Sequence, residues 1–431
     1  MKILNYKTKN FYKELKKILD SRSQQNIENT DTIVKNIITQ IKDRGDEALF
    51  KFVREFEGNS VNESNILISK KILKSYKDKI DVDVMNSFRI SIKNTTAYHK
   101  KQKPKNYEIL EDGVKTGSIW KPIQSVGLYV PAGKSVYPSS LIMNVVPAKI
   151  AGVKRIVVVT PNPSGNINPY ILALLDELEV SEVYQVGGAQ AIAALAYGTR
   201  TIKSVNKIFG PGNAYVTSAK KQVYGKVGID LIAGPSEIIV VADNDNKPEW
   251  VATDLMAQAE HDDKAQSILI TDSLEFSKKV LTSINNLINK LPKKDTIKNS
   301  LGNYGIIIIL ENLDDAASII DFIAPEHLHL QNKNPDKILN NIHNVGGIFL
   351  GEYSPEAFGD YIVGTNHVLP TSGTAKFSSG LGVLDFMKRS SIVQMNSRGF
   401  DRLQKNVVDM TNVESLEGHK LSVKIRQTYK K

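Results

Sequence analysis

Four of the seven histidines in this 431-residue chain stand in polar clusters of its second half, each beside an amide or a carboxylate. The clusters read Gln258-Ala-Glu-His261, Pro325-Glu326-His327, Gly359-Asp360, Asn366-His367 and Glu414 to His419. Imidazoles among hard oxygen donors, with a separate Glu-His pair, are the material of a metal-centred catalytic site. The chain has no cysteine, so thiol chemistry and disulfides are both excluded. It reads as an enzyme.

Gln258 and His261 lie three apart in a helical stretch, which turns both side chains to one face. The bland alternative is an exposed polar face with an incidental histidine. Asp360 follows a glycine in a loop-like stretch, and His419 lies in the tail. Together the four form an N2O2 donor set that zinc accepts, though not at zinc-finger spacing. Glu326-His327 follows Pro325, which ends a helix over 314–323 just before a strand. Adjacent Glu and His offer two proton-transfer groups of different basicity. The alternative is a capping Glu with His327 opening the alternating strand His327-Leu-His-Leu. His329 points to the same face as His327 there, so either could be the reactive one.

Positioning such residues requires a scaffold. Residues 1 to about 100 read as helical and charged, with Ile33, Ile37, Ile38 and Ile41 at helical spacing. From Gly127 onward short β-branched runs alternate with helical patterns, first over 126–224 and again over 238–350. That alternation predicts α/β architecture with parallel sheets covered on both faces. The expected fold is two incomplete Rossmann-like, doubly wound domains with a helical N-terminal region and a helical C-terminal tail. Boundaries fall at 1–28 for the N-terminal segment, 29–125 plus 240–380 for one α/β domain, 126–239 for the cofactor-side domain, and 381–431 for the tail. After Gly382 the sequence turns polar and helical with no strand-like run. So little apolar material is hard to bury alone, so the tail is expected to pack on another domain or subunit.

The glycine turns invite a nucleotide reading. No Gly-x-Gly-x-x-Gly occurs. Gly127 to Gly133-Lys134-Ser135 is rejected as a P-loop, because its glycine spacing is one residue too long and Pro131 stands where phosphate-binding N–H groups are needed. Gly187-Gly188-Ala-Gln190 and Gly210-Pro-Gly212-Asn213 each join a strand to a helix, and both could present helix N-termini to an anion. The net charge is +10, but the lysines are dispersed and no arginine stripe interleaves with aromatics, which argues against a nucleic-acid partner. Nor does the N-terminus resemble a signal peptide or any run span a bilayer, so the cytoplasm is the expected compartment.

Several longer blocks resemble the histidinol dehydrogenase family. They are Tyr129-Val-Pro-Ala-Gly, Val186-Gly-Gly-Ala-Gln190-Ala-Ile-Ala-Ala-Leu, Phe209-Gly-Pro-Gly-Asn213 and Ile229-Asp-Leu-Ile-Ala-Gly-Pro-Ser236-Glu-Ile. Gln258-Ala-Glu-His261, Ala324-Pro-Glu326-His327, Gly359-Asp360-Tyr and Gly364-Thr-Asn-His367-Val-Leu-Pro-Thr follow in the family's order. The resemblance implies four-electron oxidation of L-histidinol through L-histidinal to L-histidine with two NAD⁺. It implies one zinc per subunit on Gln258, His261, Asp360 and His419, with His327 as general base and Glu326 activating water. Substrate contacts would come from Ser236, His367 and Glu414, and NAD contacts from Tyr129, Gln190 and Asn213. Family members are homodimers whose tail reaches the partner's site, which would carry Glu414 and His419 across the interface. The tail Glu414-Ser-Leu-Glu-Gly-His419 keeps the family's Glu-x-Leu-x-x-His skeleton but not the residues around it. Val-Pro-Ala-Gly after Tyr129 replaces the commoner Pro-Gly-Gly.

The chemistry is consistent with the residues. Oxidising an aldehyde needs a thiol adduct or a hydrate, and without cysteine only the hydrate remains, formed by a Glu326-activated water. The competing reading is a zinc-dependent hydrolase, since metal, Glu and water are also a hydrolytic set. It leaves the two α/β layers and the glycine turns unexplained. An inactive dimeric scaffold is opposed by the retained acid-base and ligand positions.

Overall fold

The computed structural model describes residues 1–431 except 23–26, 59–60, 132–136, 164, 166, 233 and 429–431. Gly133, Lys134 and Ser135 of the rejected P-loop comparison lie outside the described residues. The strands, in chain order, are β1 (Lys2–Asn5), β2 (Tyr107–Glu111), β3 (Val114–Pro122), β4 (Ser125–Tyr129), β5 (Arg155–Thr160), β6 (Glu182–Gln185) and β7 (Lys207–Phe209). They continue with β8 (Gly228–Ile229), β9 (Glu237–Val241), β10 (Gln266–Thr271), β11 (Ile306–Ile309), β12 (His327–Leu330), β13 (Gly347–Leu350) and β14 (Met387–Met395). The chain forms two compact units, one of Met1–Gln102 with Gln124–Phe386 and one of Lys103–Ile123 with Met387–Lys431.

The first unit contains two wholly parallel sheets. One runs β6-β5-β4-β7-β8 and the other β1-β11-β10-β9-β12-β13. Counted from β4 and from β9, both sheets have the order 3-2-1-4-5, the doubly wound order lacking its sixth strand. The expected pair of incomplete Rossmann-like halves is therefore the observed fold. Parallel strands need crossover helices, which cover both faces and make the strand sequences continuously apolar. Alternate residues of β9 to β12 show this. Ile239, Val241, Ile268, Ile270 and Leu328 pack on one side with Phe11, Leu15, Ile319 and Ile320. Ile238, Val240, Leu269 and Ile307 pack on the other with Val251, Leu255, Phe276 and Val280.

Three local expectations are corrected. The N-terminus opens on strand β1, which pairs in parallel with β11, before its first helix, Phe11–Ser21. Four residues with only Leu4 buried carry too little pattern to be read as a strand. Helices Ile27–Arg44 and Asp46–Glu57 pack on the five-stranded sheet, with Val34, Ile37, Ile41, Leu49 and Phe52 beside Val157, Ile192 and Ile208. Residues 29–125 were expected to accompany the later sheet. Periodicity tells which helix face is apolar, not which sheet it meets.

The third correction concerns the second unit, an antiparallel sheet β14-β3-β2 followed by helices Ser397–Val413 and Glu417–Thr428. Strand β14 lies where no strand-like run was expected after Gly382. It pairs with β3 along its full length, from Met387↔Pro122 to Met395↔Val114. None of its residues is buried, so backbone hydrogen bonds hold it without the apolar alternation that marks a strand in sequence.

Candidate active site

Glu326 and His327 are delivered by a sharp junction. Helix Ala316–Ile323 ends at Ala324, which takes the left-handed conformation (φ +53°) before Pro325 bars further helix. The chain then turns directly into β12, whose first residue is His327. Gly346 lets the start of β13 close on this junction, because a Cβ there would sit 2.5 Å from the Glu326 carbonyl oxygen.

A single residue of β9, Glu237, holds both groups through its backbone N–H and carbonyl. The Glu237 N–H donates to Glu326 Oε2 (2.9 Å), and the Glu237 carbonyl lies 3.1 Å from His327 Nδ1. A carbonyl oxygen can only accept, so Nδ1 carries the proton and Nε2 is left as the lone-pair nitrogen. His327 Nε2 is buried and has no hydrogen-bond partner among the described residues; Asp360 Oδ1 is 3.9 Å away. Burial pushes the His327 pKa down to about 4, so the ring is a neutral base at physiological pH. Burial also raises Glu326 well above the usual carboxyl range, against the pull of the Glu237 N–H. The Glu326 shift runs toward neutrality, as proton transfer there asks for, whereas the His327 shift keeps the ring unprotonated but makes it a weaker base.

His329, the alternative reactive histidine, is committed at both nitrogens. Its Nε2 meets the Gly351 carbonyl (2.9 Å) and its Nδ1 accepts from Gln331 Nε2 (3.1 Å). Behind Glu237 lies a buried anchor, Arg22. It donates to Glu237 Oε1 (2.5 Å), to Gln266 Oε1 (3.1 Å) and to the carbonyls of Pro235, Ser236 and Lys264. This clamp fixes the segment carrying Ser236, which is half-buried just before β9.

The first unit gathers most of the expected metal and substrate residues here. His261, Glu356 and Asp360 offer ligand atoms that lie within 4.8 Å of one another. Gln258 is fully buried; with its amide oriented for hydrogen bonding, Nε2 donates to both Glu356 oxygens (2.6 and 2.8 Å) and Oε1 accepts from Glu237 N (3.2 Å). His367 Nδ1 donates to the Asp360 carbonyl (2.8 Å), and its Nε2 meets Ser140 Oγ (3.1 Å). A cavity of about 320 Å³ opens beside His261, lined also by Tyr137, Ser139, Lys293 and Tyr361. Its size suits a small-molecule substrate.

Two details differ from expectation. The helix bearing Gln258 is Pro248–Ala259, so His261 stands just beyond its C-cap, not on its face. Asp360 is not in a loop but on the short helix Glu356–Tyr361, where Gly359 admits the Phe349 ring. Six residues are too few for periodicity to reveal. Glu414 and His419 belong to the second unit; both are exposed there, at the end of one helix and the start of the next.

The cofactor-side residues cluster at the carboxyl ends of the five-stranded sheet, where such folds bind ligands beside the reversal of strand order. Tyr129 ends β4, Gln190 lies in the first turn of helix Gly188–Tyr197, and Asn213 caps helix Ala214–Val223. Several backbone donors of the two glycine turns, which could present helix N-termini to an anion, are already taken within the chain. Gly187 N–H donates to Glu57 (2.8 Å), Gly188 N–H to the Tyr129 hydroxyl (3.1 Å) and Gly210 N–H to Asp230 (2.7 Å). Asn213 Oδ1 accepts from Tyr215 and Val216, each at 3.1 Å. Internal side chains thus occupy the N–H groups of Gly187, Gly188, Gly210, Tyr215 and Val216, a choice that backbone pattern cannot announce.

Comparison with known proteins decides among the chemistries this site allows. The family model described as histidinol dehydrogenase matches residues 20–427. The histidinol dehydrogenase of Rhodospirillum rubrum is 45% identical over 405 residues, covering 94% of this chain and 93% of that protein. That of Rhizobium meliloti is 44% identical over 425 residues, 98% of each. The crystal structure of histidinol dehydrogenase from Elizabethkingia anophelis superposes with a TM-score of 0.94 at 33% identity, over 99% of this chain and 98% of that one. The chain belongs to the histidinol dehydrogenase family. It is therefore an oxidoreductase of a family that oxidises histidinol to histidine with NAD in histidine biosynthesis. The hydrolase alternative finds no support among these relatives.

Against this histidinol dehydrogenase fold, residue reasoning missed Glu356, Glu237 and Arg22. Glu356 and Asp360 are spaced four apart, which on a helix places two carboxylates on one face; that spacing was the available signal. Burial, with the carboxylates of Asp360, Glu326 and Asp254, raises Glu356 well above the usual range. Glu237 acts mainly through its backbone, which no side-chain pattern reports. Arg22 reaches it from 215 residues away in sequence.

Proposed function

We propose that the chain carries out the full four-electron reaction, L-histidinol to L-histidinal to L-histidine, with His327 as general base and Glu326 as the activator of water. The observation that carries this reading is the buried Nε2 of His327, which has no partner among the described residues; burial keeps the ring neutral and the Nδ1 bond to the Glu237 carbonyl fixes its tautomer. In the first oxidation, His327 Nε2 takes the hydroxyl proton while the carbinol hydride leaves to NAD⁺, giving the aldehyde. Glu326 then takes a proton from water as its oxygen adds to the aldehyde carbon. His327 deprotonates the resulting hydrate as its hydride leaves to a second NAD⁺, giving the carboxylate. The sum is alcohol, water and two NAD⁺ in; carboxylate, two NADH and three protons out.

Zinc fits the donors gathered here, the His261 imidazole with the Asp360 and Glu356 carboxylates, and the buried Gln258 amide lies against Glu356. We assign it to Gln258, His261, Asp360 and His419, one ion per subunit. When bound, zinc supplies a redox-inert Lewis acid that holds and orients the substrate's nitrogens. Ser236, His367 and Glu414 bind substrate, and Tyr129, Gln190 and Asn213 meet the cofactor. The first test is the NADH yield per L-histidinol. Two NADH are expected, lost on chelation and restored by zinc. A yield of one, or turnover untouched by a chelator, overturns the respective half of this reading.

We further propose a homodimer in which the tail of one subunit supplies Glu414 and His419 to its partner's site. Supporting it, the tail helices carry Val407, Met410, Val413 and Leu421 exposed within the single chain, an apolar surface that a second subunit would cover. Heterodimers of His327→Asn and His419→Ala chains provide the check. If the tail acts in trans, one of their two sites is intact, and mixing two nearly inactive proteins restores activity. If it acts in cis, both sites stay defective and nothing is restored. A reducing compartment such as the cytoplasm suits a chain without cysteine.

A further inference from the structure

We infer that Glu57, a buried carboxylate at the end of helix Asp46–Glu57, is a positioning residue that sets the geometry of the cofactor-side turns. The inference rests on Tyr129 and Gln190 meeting the cofactor. Glu57 is only 8% exposed, and its carboxylate collects three donors from two different strand-to-helix turns. Oε2 accepts the Asn162 N–H (2.9 Å) after β5, and Oε1 accepts the Gly187 N–H (2.8 Å) after β6. Gln190 Nε2 approaches the same Oε1 at 3.4 Å. The next peptide, Gly188, donates to the Tyr129 hydroxyl at 3.1 Å. Glu57 therefore touches Gln190 directly and Tyr129 through one intervening peptide.

The position matters because a helix N-terminus after a parallel strand is where an α/β fold ordinarily receives a ligand's phosphate. Here the chain supplies its own anion to Gly187. Recognition of the dinucleotide at this turn then falls to the side chains that Glu57 orients. The two turns are 25 residues apart and leave adjacent strands, β5 and β6. One carboxylate with two acceptor oxygens can hold both, whereas an amide has one oxygen and must turn an NH₂ toward one of the backbone donors. Burial raises the Glu57 pKa against these three donors, and the geometry stands without that shift. Helix residues Leu49, Phe52 and Val53 lock the carboxylate's base into the core of the five-stranded sheet.

The test is Glu57→Gln in the zinc-loaded protein. Loss of a hydrogen bond to a charged group predicts a rise of about tenfold in the NAD⁺ KM and in the NADH Kd read by fluorescence titration. Histidinol KM, bound zinc and kcat at saturating NAD⁺ are expected to stay at their wild-type values. Unchanged NADH binding overturns the inference. So does a parallel loss of zinc, histidinol affinity and NADH affinity, which would mark a general structural role. Glu57→Asp keeps the charge on a shorter stem and covers the case in which the amide variant does not fold; a smaller rise with the same split is expected, and wild-type NADH binding overturns the inference. Tyr129→Phe and Gln190→Ala run alongside. Wild-type NADH binding in both would sink the cofactor reading itself, whereas weakened binding in them but not in Glu57→Gln would sink the role of Glu57 alone.

Discussion

His327→Asn is expected to lower kcat for histidinol oxidation by about 10²–10⁴-fold, the usual contribution of a positioned general base. Asparagine is the informative replacement. Its amide nitrogen falls near the position of Nδ1 and can keep the hydrogen bond to the Glu237 carbonyl. What it deletes is Nε2, the nitrogen that is buried and without a partner. The histidinol KM and the zinc content are expected to change little, because Nδ1 serves the scaffold while the proposed reaction uses only Nε2. Both oxidations should suffer, since each removes a hydroxyl proton, first from the alcohol and then from the hydrate. Steady-state rates with histidinol and with histidinal as substrates check this. A fall of less than tenfold on both would remove His327 from the mechanism.

Glu326→Gln is expected to separate the two oxidations. The amide is close in shape to the carboxyl and can still accept the Glu237 N–H, so β9 and β12 keep their register. It cannot take a proton from water. Histidinol oxidation should therefore survive while hydration of the aldehyde, and with it the second hydride transfer, falls by about 10²–10⁴-fold. The NADH yield should drop from two toward one per histidinol, with histidinal recoverable by trapping with a carbonyl reagent. The raised proton affinity of Glu326 supports this assignment, because a carboxylate buried at the start of β12 is a stronger base than one in water. A variant that still releases two NADH at the wild-type rate would return the water-activating role to another group. Glu356 would be the first candidate, since its Oε1 lies 3.6 Å from His327 Nδ1.

Much of this was legible along the chain. Continuous β-branched runs followed by helical patterns determined two parallel sheets, because only strands covered on both faces can be apolar at every position. Absence of cysteine determined that an aldehyde intermediate must pass through a hydrate. The motifs around Gln258, Glu326, Asp360 and His367 carried the resemblance to the family, to which the chain belongs. Elsewhere, only the tertiary structure decided. Strand β14 has no buried residue and so leaves no pattern. His327 and His329 are equivalent in sequence, and it is the Gly351 and Gln331 contacts that commit one while the Glu237 carbonyl leaves the other's Nε2 bare. Arg22, Glu57 and Glu237 act across 215, 130 and 89 residues of chain, on Glu237, Gly187 and Glu326 respectively. The Glu57 and Glu237 bonds use a backbone N–H, which every residue but proline offers, and the Arg22 bond joins side chains far apart in the chain, so sequence names the candidate side chains but not the groups that aim them.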